Sequence, residues 1–216
     1  MKVIGVGFGR SGTMSLKQAL GELGAGPCFH MIDLIQDPSK VGPWHAAVFE
    51  GEMDWDAMFD GFESTIDWPG CTLWRDLIDA FPEAKVLLNY RDFDAFYRSL
   101  ETTVYALRKA AKEGTLEPDA SRPQPVPELW EIIDELIFAR DLQGSIEDRE
   151  RVREICEQRL EEIQSTVPAD RLTVWKLGDG WGPLCEMLDV HEPEHEFPHL
   201  HEAAEFRAKF GLPALA

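Results

Sequence analysis

The sequence predicts an α/β protein, a parallel sheet flanked by helices, with a helical insertion before its last strand. Three observations carry this. The apolar run Val3-Ile4-Gly5-Val6 breaks at Gly7-Phe8-Gly9-Arg10-Ser11-Gly12-Thr13 and gives way to helical periodicity. Lys85-Val86-Leu87-Leu88-Asn89-Tyr90 is a second apolar run of strand length, with helical patterns on both sides. Strands that alternate with helices need crossover connections, and such connections make neighbouring strands parallel.

The elements follow in order. Residues 14–23 read as an amphipathic helix, with Leu16, Ala19, Leu20 and Leu23 on one face. Cys28-Phe29-His30-Met31 reads as a second, short strand, and the aromatic stretch to Gly61 as helical pieces. Ser64-Thr65-Ile66-Asp67 is a strand end closed by Trp68-Pro69-Gly70. Residues 73–81 form a helix that Pro82 stops. After the strand at 85–90, Asp92 is placed to cap the next helix. Residues 117–127 hold Pro118, Pro123, Pro125 and Pro127 and read as a loop or lid. Residues 128–167 are helical, with Leu129, Ile132, Ile133, Leu136 and Ile137, then Ile155, Leu160 and Ile163, opposite a charged face. Leu172-Thr173-Val174-Trp175 returns to strand, residues 181–188 form a short helix, and the tail from His191 is irregular. The expectation is one domain over residues 1–216, with the Pro-rich loop and helices of residues 117–167 inserted in it.

Composition narrows the function. Of 216 residues 44% are hydrophobic, with 12 Phe and 7 Trp, enough to build a core. Lys+Arg 21 against Asp+Glu 40 gives a net charge of −19, a field that repels nucleic acid and anionic lipid. Cys28, Cys71, Cys156 and Cys185 are dispersed, which argues against a disulfide framework or a structural zinc and for a reducing compartment. The start lacks a signal-peptide pattern and no run approaches 18 apolar residues, so a cytoplasmic protein without a membrane span is expected.

A strand that enters a glycine-rich turn at a helix N-terminus is an anion cradle, because free N–H groups and the helix dipole face the ligand. Three chemistries compete for it. The nucleoside-triphosphate pattern GxxxxGK[ST], started at Gly7, requires Lys after Gly12, where Thr13 stands. The dinucleotide pattern GxGxxG fits Gly7 to Gly12, with Asp33 as the ribose-binding acid, but leaves Arg91 and Ser99 unused. The third is a phosphosulfate cradle. A sulfuryl group in transfer carries less charge than a phosphoryl group, so one cation and several N–H donors suffice without a metal clamp.

Gly9-Arg10-Ser11-Gly12-Thr13-Met14-Ser15 resembles the 5′-phosphosulfate loop of the sulfotransferases that use 3′-phosphoadenosine 5′-phosphosulfate, PAPS. Arg91 at a strand end and Ser99 eight residues on resemble the family's 3′-phosphate grip. In cytosolic members the base is a His in a Lys-Thr-His-Leu-Pro stretch. Here Ser64-Thr65-Ile66-Asp67-Trp68-Pro69 occupies the comparable place, and Thr-x-Asp-Trp-Pro is similar to a small sulfotransferase-like group, as are Pro82-Glu83-Ala84-Lys85 and Gly180-Trp181-Gly182-Pro183-Leu184. The resemblance implies a P-loop NTPase-like fold and a PAPS-dependent transferase acting on a hydroxyl or amine of a small molecule. It implies Arg10 and Asp67 as catalytic residues. It implies Gly9, Arg10, Ser11, Gly12, Thr13, Met14, Ser15, Arg91 and Ser99 as donor-binding residues, with no metal. A non-catalytic nucleotide-binding module is the alternative of another class.

The chain departs from the pattern in three places. Arg10 replaces the commoner Lys, Ser15 stands where cytosolic members carry an adenine-stacking Trp, and no basic glycine-rich segment lies near the C-terminus. Trp175 is the candidate stacking platform. His30 is either an alternative base or a core residue, and His45 a pocket or core residue. Asp67 has its own structural reading as a cap of the Trp68-Pro69 turn. His191, His195, His199 and His201 read as a solvated tail rather than a metal site, since Pro193 and Pro198 break any helical spacing.

Overall fold

The computed structural model describes residues 1–116, 125–200 and 203–214. Five strands, β1 (Val3–Gly5), β2 (Cys28–Phe29), β3 (Ser64–Thr65), β4 (Lys85–Tyr90) and β5 (Leu172–Lys176), form one parallel sheet in the order β2-β3-β1-β4-β5. The chain leaves β1 toward one edge through α1 (Thr13–Glu22), α2 (Met31–Gln36), α3 (Val41–Phe49) and α4 (Trp55–Met58). It returns through α5 (Trp74–Ala80) to β4. Between β4 and β5 lie α6 (Phe93–Leu100), α7 (Ala106–Glu113), α8 (Pro127–Ile133) and α9 (Arg149–Thr166). Two wide-turned π segments interrupt this run, Glu101–Tyr105 between α6 and α7 and Asp134–Asp141 after α8. The short α10 (Gly182–Leu188) and α11 (Ala203–Phe210) follow β5.

Both sheet faces are covered, which is why β4 is apolar throughout rather than alternating. Val86 and Leu88 point into a core with Ile4, Trp44, Trp74 and Leu77. Leu87, between them, points the other way and packs with Val3, Leu16, Leu20, Trp175 and Leu184. Leu87 is fully buried, and truncating such a side chain costs roughly 2–5 kcal/mol. A third cluster joins Ile32, Leu107, Phe206 and Phe210 from α2, α7 and α11.

The register places the site. β1 pairs with β3 through Val3↔Ser64 and with β4 through Val3↔Lys85, so the C-terminal ends of all three strands lie side by side. The glycine-rich turn, Asp67 and Arg91 each follow one of these ends. Connections leave β1 in one direction and β4 in the other, which makes this the crevice where open α/β sheets bind ligands.

Several boundaries differ from the sequence expectation. The second strand ends at Phe29, because His30 caps α2: its Nδ1 accepts the Ile32 N–H at 3.1 Å while Asp33 accepts the His30 N–H at 2.8 Å. The third strand ends at Thr65, since Asp67 is in the left-handed region at φ 75° and cannot continue it. Asp92 stands at the N-cap of α6 without a capping bond, and its carboxylate instead meets Lys176 at 3.1 Å. Pro127 opens α8 rather than closing the loop, a position that suits its fixed φ and missing N–H. The helical run to 167 is broken by a turn before α9, and the tail carries α11. Residues 117–124 of the Pro-rich stretch, and His201, lie outside the described residues. No helix among the described residues is long and apolar enough to cross a membrane.

Candidate active site

The anion loop is shaped by close backbone approach. A Cβ on Gly7 would overlap the Asn89 carbonyl, and one on Gly9 would overlap the Asp67 carboxylate and the Trp68 ring. Gly12 caps α1 at φ 82°, a conformation that suits glycine, and accepts the Leu16 N–H at 3.0 Å. Arg10 also lies in the left-handed region, at φ 65°. Its Nε donates to Ser99 Oγ at 3.2 Å, and Arg91 Nη1 donates to the Arg10 carbonyl at 3.2 Å. One cation from the loop, one from the end of β4 and a hydroxyl from α6 are thereby joined.

These groups line a cavity of about 510 Å³ together with Gly12, Thr13, Met14 and Ser15. Gly9 lies behind the wall, against Asp67, and Ser11 faces a different cavity of about 240 Å³ beside α9. Ser15 Oγ accepts the Leu200 N–H at 3.0 Å, which draws the tail over the opening and sets His199 on the cavity wall. Arg91 Nε is buried with no hydrogen-bond partner. A buried guanidinium donor left unpaired is costly, and an anion in the cavity would relieve it.

Asp67 lies on the other side of Arg10, 5% exposed. Its Oδ1 accepts from Thr13 Oγ1 at 3.2 Å, and Thr13 Oγ1 lies 3.0 Å from His30 Nε2. Because His30 Nδ1 accepts the Ile32 N–H, the ring proton belongs on Nε2. The donors then run in one direction, from His30 to Thr13 to Asp67. His30 Nδ1 approaches Asp67 Oδ2 at 3.4 Å. Burial pushes the Asp67 carboxyl up to about 7, against the opposing pull of the Arg10 charge, the Thr13 hydroxyl and two backbone N–H groups. The carboxylate also faces an apolar slot of about 60 Å³, walled by Met31, Ile35, Leu107, Trp130, Phe206 and Phe210. The two cavities meet at Arg10.

The Asp67 loop is braced from behind. Buried Asp141, the last residue of its π segment, accepts from Trp68 Nε1 at 2.8 Å and Thr72 Oγ1 at 2.7 Å. Arg159 Nη1 lies 3.8 Å from Asp141, while its Nη2 donates to the Val6 carbonyl at 3.2 Å. The strand before the anion loop and the loop after β3 are thus tied to one buried ion pair.

Some expectations are corrected. Trp175 is fully buried beneath Gly12 and offers no face to the cavity. Asp33 is occupied by Lys17, at 2.6 Å, and by the cap of α2. With β3 between β1 and β2, the dinucleotide order, in which the first two strands are neighbours, is not formed. His45 pairs with Glu131 at 2.8 Å outside both cavities. His30 is buried and lines the slot beside Asp67. Its signal was present, since it follows a strand whose end points at the crevice. The described residues contain no group of three or more His, Cys, Asp or Glu arranged to hold a metal.

The cationic cavity and the apolar slot with its buried carboxylate share one wall residue, Arg10. Residues 2–206 match the family model described as Sulfotransferase domain, and the chain belongs to that family. It is also similar to Ava biosynthesis cluster protein M of Aspergillus versicolor, at 29% identity over 211 residues, which covers 93% of this chain and 80% of the relative.

Proposed function

We propose that the chain transfers a sulfuryl group from PAPS to a hydroxyl or amine of a small-molecule acceptor. The observation that carries this is the meeting of the cationic cavity and the apolar slot at Arg10, with Asp67 at the mouth of the slot. The unpaired Arg91 Nε and the left-handed Gly12 cradle fit an anionic nucleotide. Bound there, PAPS supplies an activated sulfuryl group and a bisphosphate leaving group. Arg91 and Ser99 hold the 3′-phosphate and fix register, an orientation role. Arg10 and the N–H groups of the loop offset charge that develops on the 5′ side.

Asp67 removes the proton from the acceptor. A base that titrates near neutral pH combines a useful ionised fraction with adequate basicity. The His30–Thr13 chain fixes which oxygen of Asp67 accepts from Thr13. The slot selects a molecule with an apolar body that presents one hydroxyl or amine. In this reading residues 1–216 act as one domain, and α8 walls the acceptor slot through Trp130 and Ile133.

Thermal titration with adenosine 3′,5′-bisphosphate, ATP, NAD and 5′-AMP tests the donor assignment. A ligand that binds only the folded chain raises its melting temperature. Selective stabilisation by the bisphosphate is expected, and a response to NAD alone would overturn the reading.

A further inference from the structure

The cavity of about 240 Å³ beside α9 has no part in the transfer reaction described above. It shares Arg91 alone with the 510 Å³ cavity and no residue with the apolar slot. It is a separate chamber, built between the anion loop, the end of β4, the start of α6 and α9.

Two polar side chains set its character. Ser11 is 3% exposed and lines this cavity but neither of the others. The neighbouring hydroxyls of the loop are used inside the protein, since Thr13 gives its proton to Asp67 and Ser15 accepts the Leu200 N–H. Among the described residues Ser11 Oγ has no hydrogen-bond partner. A hydroxyl withdrawn from bulk water is costly to leave unpaired, and an acceptor in the cavity would relieve it. Arg159, from α9, repeats the pattern. Its side chain is 10% exposed and lies over the Phe8 ring at 5.1 Å, and its Nε has no partner. Arg153 is already paired with Asp94 and Glu150, and Arg91 belongs to the first cavity, so neither is counted. Of the two wall carboxylates, Asp92 is held by Lys176 at 3.1 Å and Glu157 is exposed.

The rest of the wall is apolar, with Leu88, Phe93, Phe96 and Leu160. Water could serve the hydroxyl but would leave this surface wet. An occupant that suits both parts carries an acceptor group for Ser11 and Arg159 and an apolar body. Because Arg159 is a cation, the acceptor group is an anion. One ring with a charged substituent fits, since about 150 Å³ already admits benzene. We propose that this cavity is a second ligand site, for a small oxoanion on a flat apolar body, a carboxylate or a sulfate ester. The site does not depend on the donor assignment.

The test is calorimetric titration of the wild-type chain with benzoate, phenyl sulfate, benzyl alcohol and inorganic sulfate, with and without saturating adenosine 3′,5′-bisphosphate. Benzoate or phenyl sulfate is expected to bind in both conditions, about tenfold or more tighter than benzyl alcohol or inorganic sulfate. Which of the two binds better separates a carboxylate from a sulfate ester. Leu160→Trp, which fills the cavity from a half-buried position on α9, should weaken that binding about tenfold or more. A second readout needs no variant. Cys156 lines the cavity and is the one cysteine of four that is not buried, so an occupant should slow its labelling by methyl methanethiosulfonate. Binding that the bisphosphate abolishes, that Leu160→Trp leaves unchanged or that fails to protect Cys156 overturns the inference. So does a chain that binds neither oxoanion better than benzyl alcohol, which makes the cavity a water-filled one. Failure of the bisphosphate itself to bind counts against the donor assignment alone.

Discussion

Asp67 and Arg10 are two of four non-glycine residues with positive φ among those described, and both reach the wall between the cavities. Such backbone strain concentrates at functional sites because surrounding contacts must hold it. If Asp67 is the base, Asp67→Asn should lower turnover by roughly 10²–10⁴, read as label transfer from sulfur-labelled donor to a panel of apolar phenols, alcohols and amines. Wild-type activity should rise with pH through about 7, since the ionised form is the working one. The stability signature has the opposite sign. The folded carboxyl titrates at about 7 against an ordinary 3.8, so it keeps a proton that the unfolded chain releases. Its contribution is full below 3.8 and is lost as pH rises through about 7. Melting curves should therefore show Asp67→Asn gaining on the wild type at about pH 8 and not at about pH 4. Arg10, Asp67, Arg91 and Ser99 were singled out in the sequence through its resemblance to the sulfotransferase motifs. The φ of 75° that aims Asp67 and the Thr13–His30 chain were not, because neither leaves a compositional mark.

At the scale of elements, the clearest strand and the helix after the loop were readable from apolar runs and period. The two-residue strands β2 and β3 were overextended, since the cap at His30 and the turn at Asp67 depend on contacts distant in sequence. Helix α11 escaped notice because its buried positions, Phe206 and Phe210, are too few to set a period. The π segment that ends at Asp141 was equally silent, though such segments gather at functional sites. Asp141 joins Trp68, Thr72 and Arg159, so its loss leaves a buried cation and an orphaned indole N–H. Asp141→Leu should cost about 3–5 kcal/mol, measured as a fall in denaturant midpoint at unchanged slope. Asp141→Asn, which can still accept from Trp68, should cost less.

Across the whole molecule, the charge of −19 is arranged around a cavity that gathers Arg10, Arg91 and Arg98. The tail completes both chambers, with Leu200 and Ala203 on the first and Phe206 and Phe210 on the second. Ending the chain at Pro198 should uncover Ile32 and Leu107, lower the melting temperature and weaken bisphosphate binding together. Intact affinity in that truncation would show that the tail does not form the wall. The central claim is a division of labour, with Arg91 holding the donor and Asp67 moving the proton. Calorimetric titration of adenosine 3′,5′-bisphosphate into the wild type, Arg91→Ala and Asp67→Asn tests it most directly. The account predicts the same affinity for wild type and Asp67→Asn and a loss of about tenfold or more for Arg91→Ala. Unchanged affinity in Arg91→Ala, or affinity lost in Asp67→Asn, would contradict it.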